Sequence, residues 1–493
     1  MIKRLLIANR GEIAIRIARA CRELGVGSVA VYSDADRRAL HVAAADHAVC
    51  IGPAPPADSY LSIPNLLAAA REAGADAVHP GYGFLSENAS FAASCEAAGL
   101  VFVGPPAHVI ADMGSKIGAR RLMEAAGVPV VPGDTPADQS DEGLRRAIET
   151  VGLPSVVKAS AGGGGKGMRI VREPGDIADA VNAARREALS AFGDGTLYVE
   201  QLLDRPRHIE VQTFADDHGH VIDLLERECS VQRRHQKVIE ESPSPALSPE
   251  VRQRMIEAAL LAARAVGYRN AGTVEFLVHA SRFYFLEMNT RLQVEHAVTE
   301  AVTGVDLVRA QLLVASGHPL PWLDRPAARG HAIEARIYAE DPARGFLPQA
   351  GRVLLYREPR LPGIRIDSGI SEGADVSVHY DALLAKVIAS AESRELARLR
   401  LVTALRDFPI LGLCTNIPFL VQVLEHPRFV AGEIDTAFLD SEGQALAERT
   451  SETPGFVLAA MAAADAAADD ARERRAEPSD TWDPWRRLSG WRI

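Results

Sequence analysis

A run of four glycines between two apolar segments is the part of the chain best suited to hold phosphate. It spans residues 162–165, with Lys166 directly after it and Lys158 shortly before it. Glycine lets backbone N–H groups close over phosphate oxygens, and lysine adds a compact positive charge. The pattern is not a P-loop, because Gly167 stands where a magnesium-binding Ser or Thr would be. The apolar runs on both sides predict a hairpin with the glycine loop at its tip. The alternative is a flexible surface loop without a ligand.

A second pattern places charged and amide side chains on alternate residues of one predicted strand. If the chain turns at residues 280–282, Glu275 lies opposite Glu287 on the neighbouring strand. Facing carboxylates destabilise a sheet unless a cation lies between them, and Mg²⁺ combines carboxylates with substrate phosphate. Extending the strand to position 295 predicts one polar face of five side chains: Glu287, Asn289, Arg291, Gln293 and Glu295. The alternative is an ordinary exposed strand face, but this set of side chains favours a metal and anion site.

Lysine is rare in this chain, so the position of each lysine is informative. Six of the 54 Lys and Arg residues are lysine, namely Lys3, Lys116, Lys158, Lys166, Lys237 and Lys386. Two of these six, Lys158 and Lys166, flank the glycine run, which favours a phosphate site there.

The elements that must position these residues fall into three predicted domains and a tail. Residues 1–112 alternate short apolar runs, at 2–8, 28–32, 76–79 and 100–103, with helical patterns. This alternation predicts a doubly wound parallel sheet. The turn after the first strand has one glycine, Gly11, where a dinucleotide-binding turn has three, so NAD binding is not favoured.

The rest of the chain predicts mixed structure. Residues 113–328 show helices and hairpins and hold nearly all the candidate chemistry, and residues 329–446 predict an α+β domain with strands at 352–356 and 364–366 and a helix at 393–405. Residues 447–493 predict a helix and a linker-like tail that carries three of the four tryptophans. Because exposed tryptophans suggest a missing neighbour, we expect residues beyond about 455 to pack poorly.

Composition narrows the class of protein. Apolar residues make up 47% of the 493 residues and charged residues 24%, as in soluble globular proteins. The net charge of −11 argues against nucleic acid as a partner.

No apolar run is long enough for a membrane span or a signal peptide. The five scattered cysteines form no CxxC pair, so neither a disulfide framework nor a zinc site is expected, and the reducing cytoplasm fits best.

Taken together, these motifs resemble those of the biotin carboxylase family of ATP-grasp enzymes over Ile2 to about Leu439. Matching segments follow in family order at residues 6–13, 79–88, 113–116, 200–210, 227–237, 334–337 and 380–381. The resemblance implies that ATP phosphorylates bicarbonate to carboxyphosphate, whose CO₂ is trapped by deprotonated biotin. It also implies a Rossmann-like N-terminal domain, a central ATP-grasp domain with a mobile lid at about residues 129–203, and a C-terminal mixed domain.

The resemblance assigns roles residue by residue. It implies ATP-binding roles for Lys116, Lys158, Gly163, Gly164, Gly165, Lys166, Glu200, Leu203, His208, Gln232 and His235. It implies Mg²⁺ ligands, with Mn²⁺ as an alternative ion, at Glu275, Glu287 and Asn289. It implies bicarbonate binding by Lys237, Arg291, Gln293, Val294 and Glu295. The implied catalytic residues are Glu295, Arg336, Arg291 and Lys237. Glu295 is the family's base, while Arg336 would stabilise the enolate-like oxygen of biotin beside Tyr82.

Some polar residues receive no role. We expect Lys3 and Lys386 at the surface, and Glu72 and Glu87 on solvated faces. His296 would point to the opposite side of the extended strand from Glu295 and serve a structural purpose.

The expected function is that of the biotin carboxylase component of an acyl-CoA carboxylase alpha subunit of the acetyl-, propionyl- or methylcrotonyl-CoA type. The alternatives are urea carboxylase or another ATP-grasp carboxylate ligase, and a nucleotide-binding subunit without turnover. No Met-Lys-Met segment of the kind that carries biotin is present, so biotin would be a substrate on another carrier domain or protein. The family implies a carboxyltransferase partner and a homodimer or larger assembly, and no membrane partner is expected.

Overall fold

In the computed structural model, which describes residues 1–160, residues 167–448 and position 462, the N-terminal part of the chain is a parallel sheet flanked by helices. Its strands are β1 (Arg4–Ile7), β2 (Gly27–Tyr32), β3 (His47–Cys50), β4 (Ala77–His79) and β5 (Val101–Phe102). Its helices are α1 (Gly11–Leu24), α2 (Leu40–Ala44), α3 (Ile63–Ala73), α4 (Ala89–Ala97) and α5 (Ala107–Gly114). The strands run parallel in the order β3, β2, β1, β4, β5, which confirms the doubly wound sheet. The edge strand β3 was not predicted, because its side chains are mostly exposed and form no apolar run.

The central part of the chain contains a small sheet and most of a large one. Its strands are β6 (Gly133–Asp134), β7 (Ser155–Ala159), β8 (Arg169–Val171), β9 (Leu197–Gln201), β10 (Arg207–Ala215), β11 (Val221–Arg233), β12 (Gln236–Ser242), β13 (Asn270–His279) and β14 (Arg282–Asn289). Its helices are α6 (Lys116–Ala125), α7 (Asp141–Val151), α8 (Ile177–Phe192), α9 (Pro249–Ala265), α10 (His296–Thr303) and α11 (Leu307–Ala315).

The small sheet has the order β6, β9, β7, β8 and falls within the expected lid. Helices α7 and α8 pack on it, and apolar side chains such as Leu144, Val157 and Val199 form a hydrophobic core of its own. Strands β7 and β8 pair antiparallel, which confirms the hairpin around the glycine run. Residues 161–166, expected at the tip of that hairpin, lie outside the described residues.

The C-terminal part continues the large sheet and adds short hairpins and helices. Its strands are β15 (His331–Tyr338), β16 (Glu340–Asp341), β17 (Leu347–Pro348), β18 (Gly351–Arg352), β19 (Leu355–Tyr356), β20 (Ile364–Ser368), β21 (Asp375–Val376), β22 (Leu383–Ala391) and β23 (Ile410–Leu411). Its helices are α12 (Arg394–Arg406), α13 (Ile417–Glu425), α14 (Pro427–Val430) and α15 (Phe438–Glu448). The eight-stranded antiparallel sheet has the order β14, β13, β10, β11, β12, β15, β22, β20, so one sheet joins the central and C-terminal parts.

Two expectations about extended segments are wrong. The strand that begins at Arg282 ends at Asn289 and does not reach position 295. Leu292 is buried, and beyond it the carbonyl of Gln293 accepts a hydrogen bond from Nδ1 of His296, the first residue of α10. The single strand expected at residues 352–356 is two short strands, β18 and β19, in separate sheets.

Three further expectations concern one C-terminal helix, the tail and membrane-spanning segments. The helix expected at residues 393–405 is confirmed as α12. The expected poor packing beyond about residue 455 falls outside the described residues. Within the described part of the chain, no helix combines the length and the apolar character that a membrane crossing requires.

The approach of Gly369 to the start of α1 leads to a first prediction. A Cβ at this position would lie 2.8 Å from the amide nitrogen of Glu12 and 3.0 Å from Cα of Gly11. Gly369→Ala should therefore destabilise the protein by about 1–3 kcal/mol, seen as a lower thermal unfolding midpoint.

Gly175→Ala is the matched control, because a Cβ there meets no atom within 4 Å and the backbone φ is not positive. Its midpoint should match that of the wild type. Equal midpoints for the two variants would contradict the close approach.

Candidate active site

A row of four charged side chains crosses four neighbouring strands of the large sheet. Arg227 on β11 pairs with Glu210 on β10, Glu210 with Glu275 on β13, and Glu275 with Glu287 on β14. Directly paired residues of antiparallel strands project from the same face. Three carboxylates therefore lie side by side, with a guanidinium at one end.

The facing of Glu275 and Glu287 is confirmed, although by a different route from the one expected. The turn has two residues, Ala280 and Ser281, both with positive φ, instead of three. A β-bulge between Glu275 and Phe276 then shifts the register by one residue and restores the pairing.

Lys237 on β12 is the cation at the centre of the site. Its Nζ donates to Glu210 Oε2 at 2.5 Å, to Glu295 Oε1 at 2.6 Å and to Glu275 Oε1 at 2.8 Å. Burial alone would lower the pKa of this lysine, but the three carboxylates outweigh burial and raise its pKa well above the ordinary value. Lys237 is therefore a permanently charged cation.

The two facing glutamates differ in their partners. Besides Lys237, Glu275 contacts the amide nitrogens of Asn289 at 2.7 Å and Gln293 at 2.8 Å and Nε2 of His208 at 2.7 Å. Burial acts to raise the pKa of Glu275, but Lys237 and His208 hold it well below its usual range. Burial and the charge of Glu275 raise the pKa of Glu287, which makes no hydrogen bond or ion pair with the described part of the chain. Glu287 is thus the carboxylate that a cation would neutralise most favourably.

The segment 290–295 holds the residues expected to bind bicarbonate. Gln293 is fixed between two groups: its Oε1 accepts from Arg227 Nη2 at 2.6 Å, and its Nε2 donates to Glu275. Arg291 instead donates to Glu87 Oε2 at 2.9 Å and to Asn289 Oδ1 at 3.1 Å. Glu87 is exposed, as expected of a solvated face, and it also pairs with Arg291, a contact that was not predicted.

Glu295, the expected base, is joined to two cations. Its Oε1 contacts Lys237, and its Oε2 accepts from Arg336 Nη2 at 3.0 Å. Burial acts to raise the pKa of Glu295, but Lys237 and Arg336 hold it well below the usual range, so the carboxylate is ionised. Arg336 also donates from Nε to Glu240 at 2.5 Å, and burial raises the pKa of Glu240.

The residues expected to bind ATP lie on both sheets. Lys158 on β7 contacts Glu200 Oε2 on β9 at 2.5 Å, and Arg120 on α6 contacts Glu200 Oε1 at 2.8 Å. Ser115 caps α6 by accepting from Gly118 N, which places Lys116 at the start of that helix, and burial lowers the pKa of Lys116.

The other expected ATP-binding residues vary in exposure. Leu203 is half-buried, His208 and Gln232 are buried, and His235 is exposed in the turn between β11 and β12. Gly163, Gly164, Gly165 and Lys166 lie outside the described residues. The structure thus brings His208 into the carboxylate row and holds Lys158 against Glu200.

The surroundings of Tyr82 correct one prediction. Its hydroxyl contacts Glu12 Oε1, and this same carboxylate oxygen lies 3.2 Å from Nζ of Lys386. Lys386 was expected at the surface, but it is fully buried, because Glu12 and Asp367 compensate its charge. Lys3 and Glu72 are exposed as expected. The side chain of His296 is buried at the start of α10.

Sequence reasoning missed several site residues. Glu210 could have been found from the period of two on β10, since it follows His208 on the same face. The period of two gave no comparable signal for Arg227 or Glu240. The pairing of strands that are distant in sequence brings Arg227 to Gln293 and Glu240 to Arg336.

The donor set fits a hard divalent cation. Glu275 and Glu287 offer carboxylate oxygens and Asn289 an amide oxygen from adjacent strands, the ligand types that Mg²⁺ prefers. A second set of potential ligands within 4.8 Å of one another is formed by His208, Glu210 and Glu275. Because Glu275 already has four partners, an ion would share this carboxylate with them.

Comparison with known proteins places these features in one family. Family models match for the biotin carboxylase N-terminal domain at residues 1–110, the ATP-binding domain of the carbamoyl-phosphate synthase L chain at 115–323 and the biotin carboxylase C-terminal domain at 334–441. The chain is 52% identical over 443 residues to the mitochondrial methylcrotonoyl-CoA carboxylase subunit alpha of Oryza sativa subsp. japonica, covering 89% of this chain and 60% of that protein. It is 52% identical over 441 residues to a biotin carboxylase of Halalkalibacterium halodurans, covering 89% of this chain and 97% of that protein.

A solved structure is similarly close. The biotin carboxylase domain dimer of Hydrogenobacter thermophilus 2-oxoglutarate carboxylase, in complex with MgADP, ADP and bicarbonate, is 42% identical with a TM-score of 0.87. The match covers 92% of this chain and 100% of that one. The chain thus spans about 60% of the length of the methylcrotonoyl-CoA carboxylase relative and nearly the whole of the biotin carboxylases.

The different surroundings of Glu275 and Glu287 predict opposite effects of neutralisation in the metal-free protein. Because the pKa of Glu275 is lower in the folded protein than the ordinary value of 4.5, its ionised form stabilises the folded state at pH values above 4.5. This stabilisation is lost as the pH falls toward the pKa that Glu275 has in the folded state. Glu275→Gln should therefore lower the free energy of unfolding by about 3–5 kcal/mol at neutral pH, and by less at acid pH.

The pKa of Glu287 is raised, so this residue stabilises the folded state at low pH and the stabilisation is lost as the pH rises. Glu287→Gln should therefore leave the stability at neutral pH unchanged or higher.

The measurement is the thermal midpoint of each variant in a metal chelator, at one scan rate, across the acid to neutral range. Equal losses in the two variants at neutral pH would contradict the assignment of partners.

Proposed function

The chain belongs to the biotin carboxylase family, and from this membership we propose that it uses ATP and bicarbonate to carboxylate biotin as the biotin carboxylase component of an acyl-CoA carboxylase. The observation that carries the proposal is the cluster around Lys237. One buried cation joins a carboxylate suited to a metal ion, Glu275, to the expected base, Glu295, which in turn meets Arg336. Phosphate activation and proton removal can therefore occur within one site.

Nucleotide would bind between the small sheet and the carboxylate row. Lys116 and Lys158 would contact the phosphates, with the glycine loop, Gly163, Gly164, Gly165 and Lys166, closing over them. Glu200, Leu203, His208, Gln232 and His235 would line the remainder of the nucleotide site. Glu275, Glu287 and Asn289 would hold Mg²⁺, or Mn²⁺ in its place, which when bound spreads the negative charge of the phosphates.

Bicarbonate would lie above segment 290–295. The planar fork of Arg291 suits a bidentate oxyanion, and its present partner Glu87 is a surface carboxylate that an anion could replace. Gln293, the Val294 backbone and Lys237 would complete the cradle. Glu295 is ionised and so can accept the bicarbonate proton.

Biotin would approach from the side of Arg336 and Tyr82. Arg336 would stabilise the charge that develops on the ureido oxygen when the ring loses its proton. We place biotin on another domain or chain, with a carboxyltransferase as the further partner, as the names of the multi-subunit relatives suggest. A homodimer is proposed from the dimeric Hydrogenobacter thermophilus domain, and a cytoplasmic location from the five free cysteines.

Two other functions remain to be distinguished by experiment. Urea carboxylase or another ATP-grasp ligase would share the nucleotide and metal residues but use a different acceptor. A nucleotide-binding subunit without turnover would bind ATP and cleave none.

The decisive measurement is ATP cleavage as a function of bicarbonate and free biotin. We expect cleavage that requires bicarbonate and is stimulated by biotin. Glu295→Gln should lower kcat about 100-fold or more while the affinity for ATP is retained. Among the described residues, the side chain of Glu295 contacts Lys237 and Arg336, and neither is an expected ATP-binding residue.

Glu72→Gln, at an exposed position, is the control and should behave as the wild type. ATP cleavage without any effect of biotin would refute the choice of acceptor, and a fully active Glu295→Gln would refute its role as the base.

We also propose that residues 129–203 form a lid that closes on ATP and excludes water from the carboxyphosphate intermediate. The separate sheet and core of this segment support a unit that can move as a body. Limited proteolysis should therefore cut residues 129–203 more slowly with a non-cleavable ATP analogue and Mg²⁺ than without them. Cleavage elsewhere in the chain is the internal control, and equal rates within the segment in both conditions would argue against closure.

A further inference from the structure

Lys386 is fully buried and has no part in the reaction proposed above. It lies on β22, directly paired with Arg336 on β15. Because paired residues share a face of the sheet, Lys386 projects to the same side as the guanidinium assigned to biotin.

The ammonium of Lys386 contacts three different parts of the chain. Nζ donates to the carbonyl oxygen of Val294 at 2.7 Å. It lies 3.2 Å from Glu12 Oε1 at the start of α1 and 3.8 Å from Asp367 Oδ2 on β20. One side chain thus connects helix α1 of the N-terminal part, strand β20 of the large sheet and the segment between β14 and α10.

The bond to Val294 is one of several restraints on segment 290–295, since the carbonyl of Gln293 also accepts from Nδ1 and the main-chain nitrogen of His296, and that of Glu295 accepts from the main-chain nitrogen of Val298. Residues 290–295 belong to no strand, so no ladder of hydrogen bonds fixes their backbone. Arg227 restrains the side chain of Gln293, and Lys237 and Arg336 restrain that of Glu295. The bond from Lys386 acts on the main chain between these two residues.

The same ammonium is linked to the expected biotin side of the site. The hydroxyl of Tyr82 contacts the Glu12 oxygen that faces Lys386, and the ring centroid of Tyr82 lies 6.0 Å from Nζ. Burying an ammonium is costly unless it is paired, and here the pairing serves a backbone carbonyl as well as carboxylates. The Val294 carbonyl serves as a third acceptor beside the two carboxylates, which couples the position of the ammonium to the backbone of segment 290–295.

We propose that Lys386 is a positioning residue of the bicarbonate site. Through Val294 it sets the place of Gln293 and Glu295 relative to Arg336, and through Glu12 it ties this segment to Tyr82. The proposal rests on the proposed function for its kinetic consequences, but the placement of residues 293–295 by Lys386 is independent of any activity.

The kinetic test measures ATP cleavage against bicarbonate at saturating biotin. Lys386→Met should raise the KM for bicarbonate about tenfold and leave the KM for ATP within about twofold of the wild type. Lys3→Met, which removes an exposed lysine with no assigned role, should change neither value.

A double variant separates positioning from stability. Lys386→Met alone leaves Glu12 without its buried cation and is expected to lower the thermal midpoint. Glu12→Gln combined with Lys386→Met removes both charges, so the midpoint should recover while the raised KM for bicarbonate persists. Recovery of the KM together with the midpoint would overturn the proposal, as would a KM for bicarbonate that Lys386→Met leaves unchanged.

A crystal structure of the double variant gives an answer that does not depend on turnover. Displacement of the backbone at residues 293–295 supports the proposal, and an unchanged backbone there refutes it. A wild-type protein whose ATP cleavage is independent of bicarbonate would instead refute the proposed function, with the crystal structure still deciding the role of Lys386.

Discussion

The site depends on the neutralisation of several buried carboxylates by a few shared cations. Glu210, Glu275 and Glu295 all face Lys237, and Arg227 and Arg336 contact two of these three. A carboxylate buried without a cation would cost several kcal/mol. The pKa of Glu275 and of Glu295 therefore stays low only while these contacts persist, and the surrounding elements must hold the partners at hydrogen-bonding distance.

The register of the large sheet meets this requirement. Strands β10, β13 and β14 align three glutamates, β12 supplies Lys237, and β15 brings Arg336 from the C-terminal part of the chain. Since β15 is hydrogen-bonded to β12, the arginine proposed to act on biotin and the central lysine belong to one continuous framework. Segment 290–295 lies outside that framework, and its side chains and backbone are restrained by Arg227, Lys237 and Lys386.

The sequence could predict the elements whose signals are local. The parallel N-terminal sheet and the hairpin around the glycine run follow from apolar runs. The facing of Glu275 and Glu287 was predicted from a three-residue turn, whereas a two-residue turn and a β-bulge produce it. The end of β14 could not be predicted, because polar and apolar residues continue to alternate up to Glu295 although the strand ends at Asn289. Lys386 was misplaced for a related reason: its partners Glu12 and Asp367 are distant in sequence, and burial of a charge becomes visible only with its partners.

The low pKa of Glu295 is consistent with its proposed role as a base, because the cations that lower this pKa are also proposed to bind the substrates. In the absence of ligands, Lys237 and Arg336 stabilise the ionised form of Glu295, which makes it a weak base. A bound carbonate species and phosphate would compete for these two cations, and each bond they divert weakens the stabilisation of the carboxylate. The proton affinity of Glu295 would then rise as the anions bind. Such an arrangement makes proton transfer dependent on a filled site, which suits an intermediate that water would destroy.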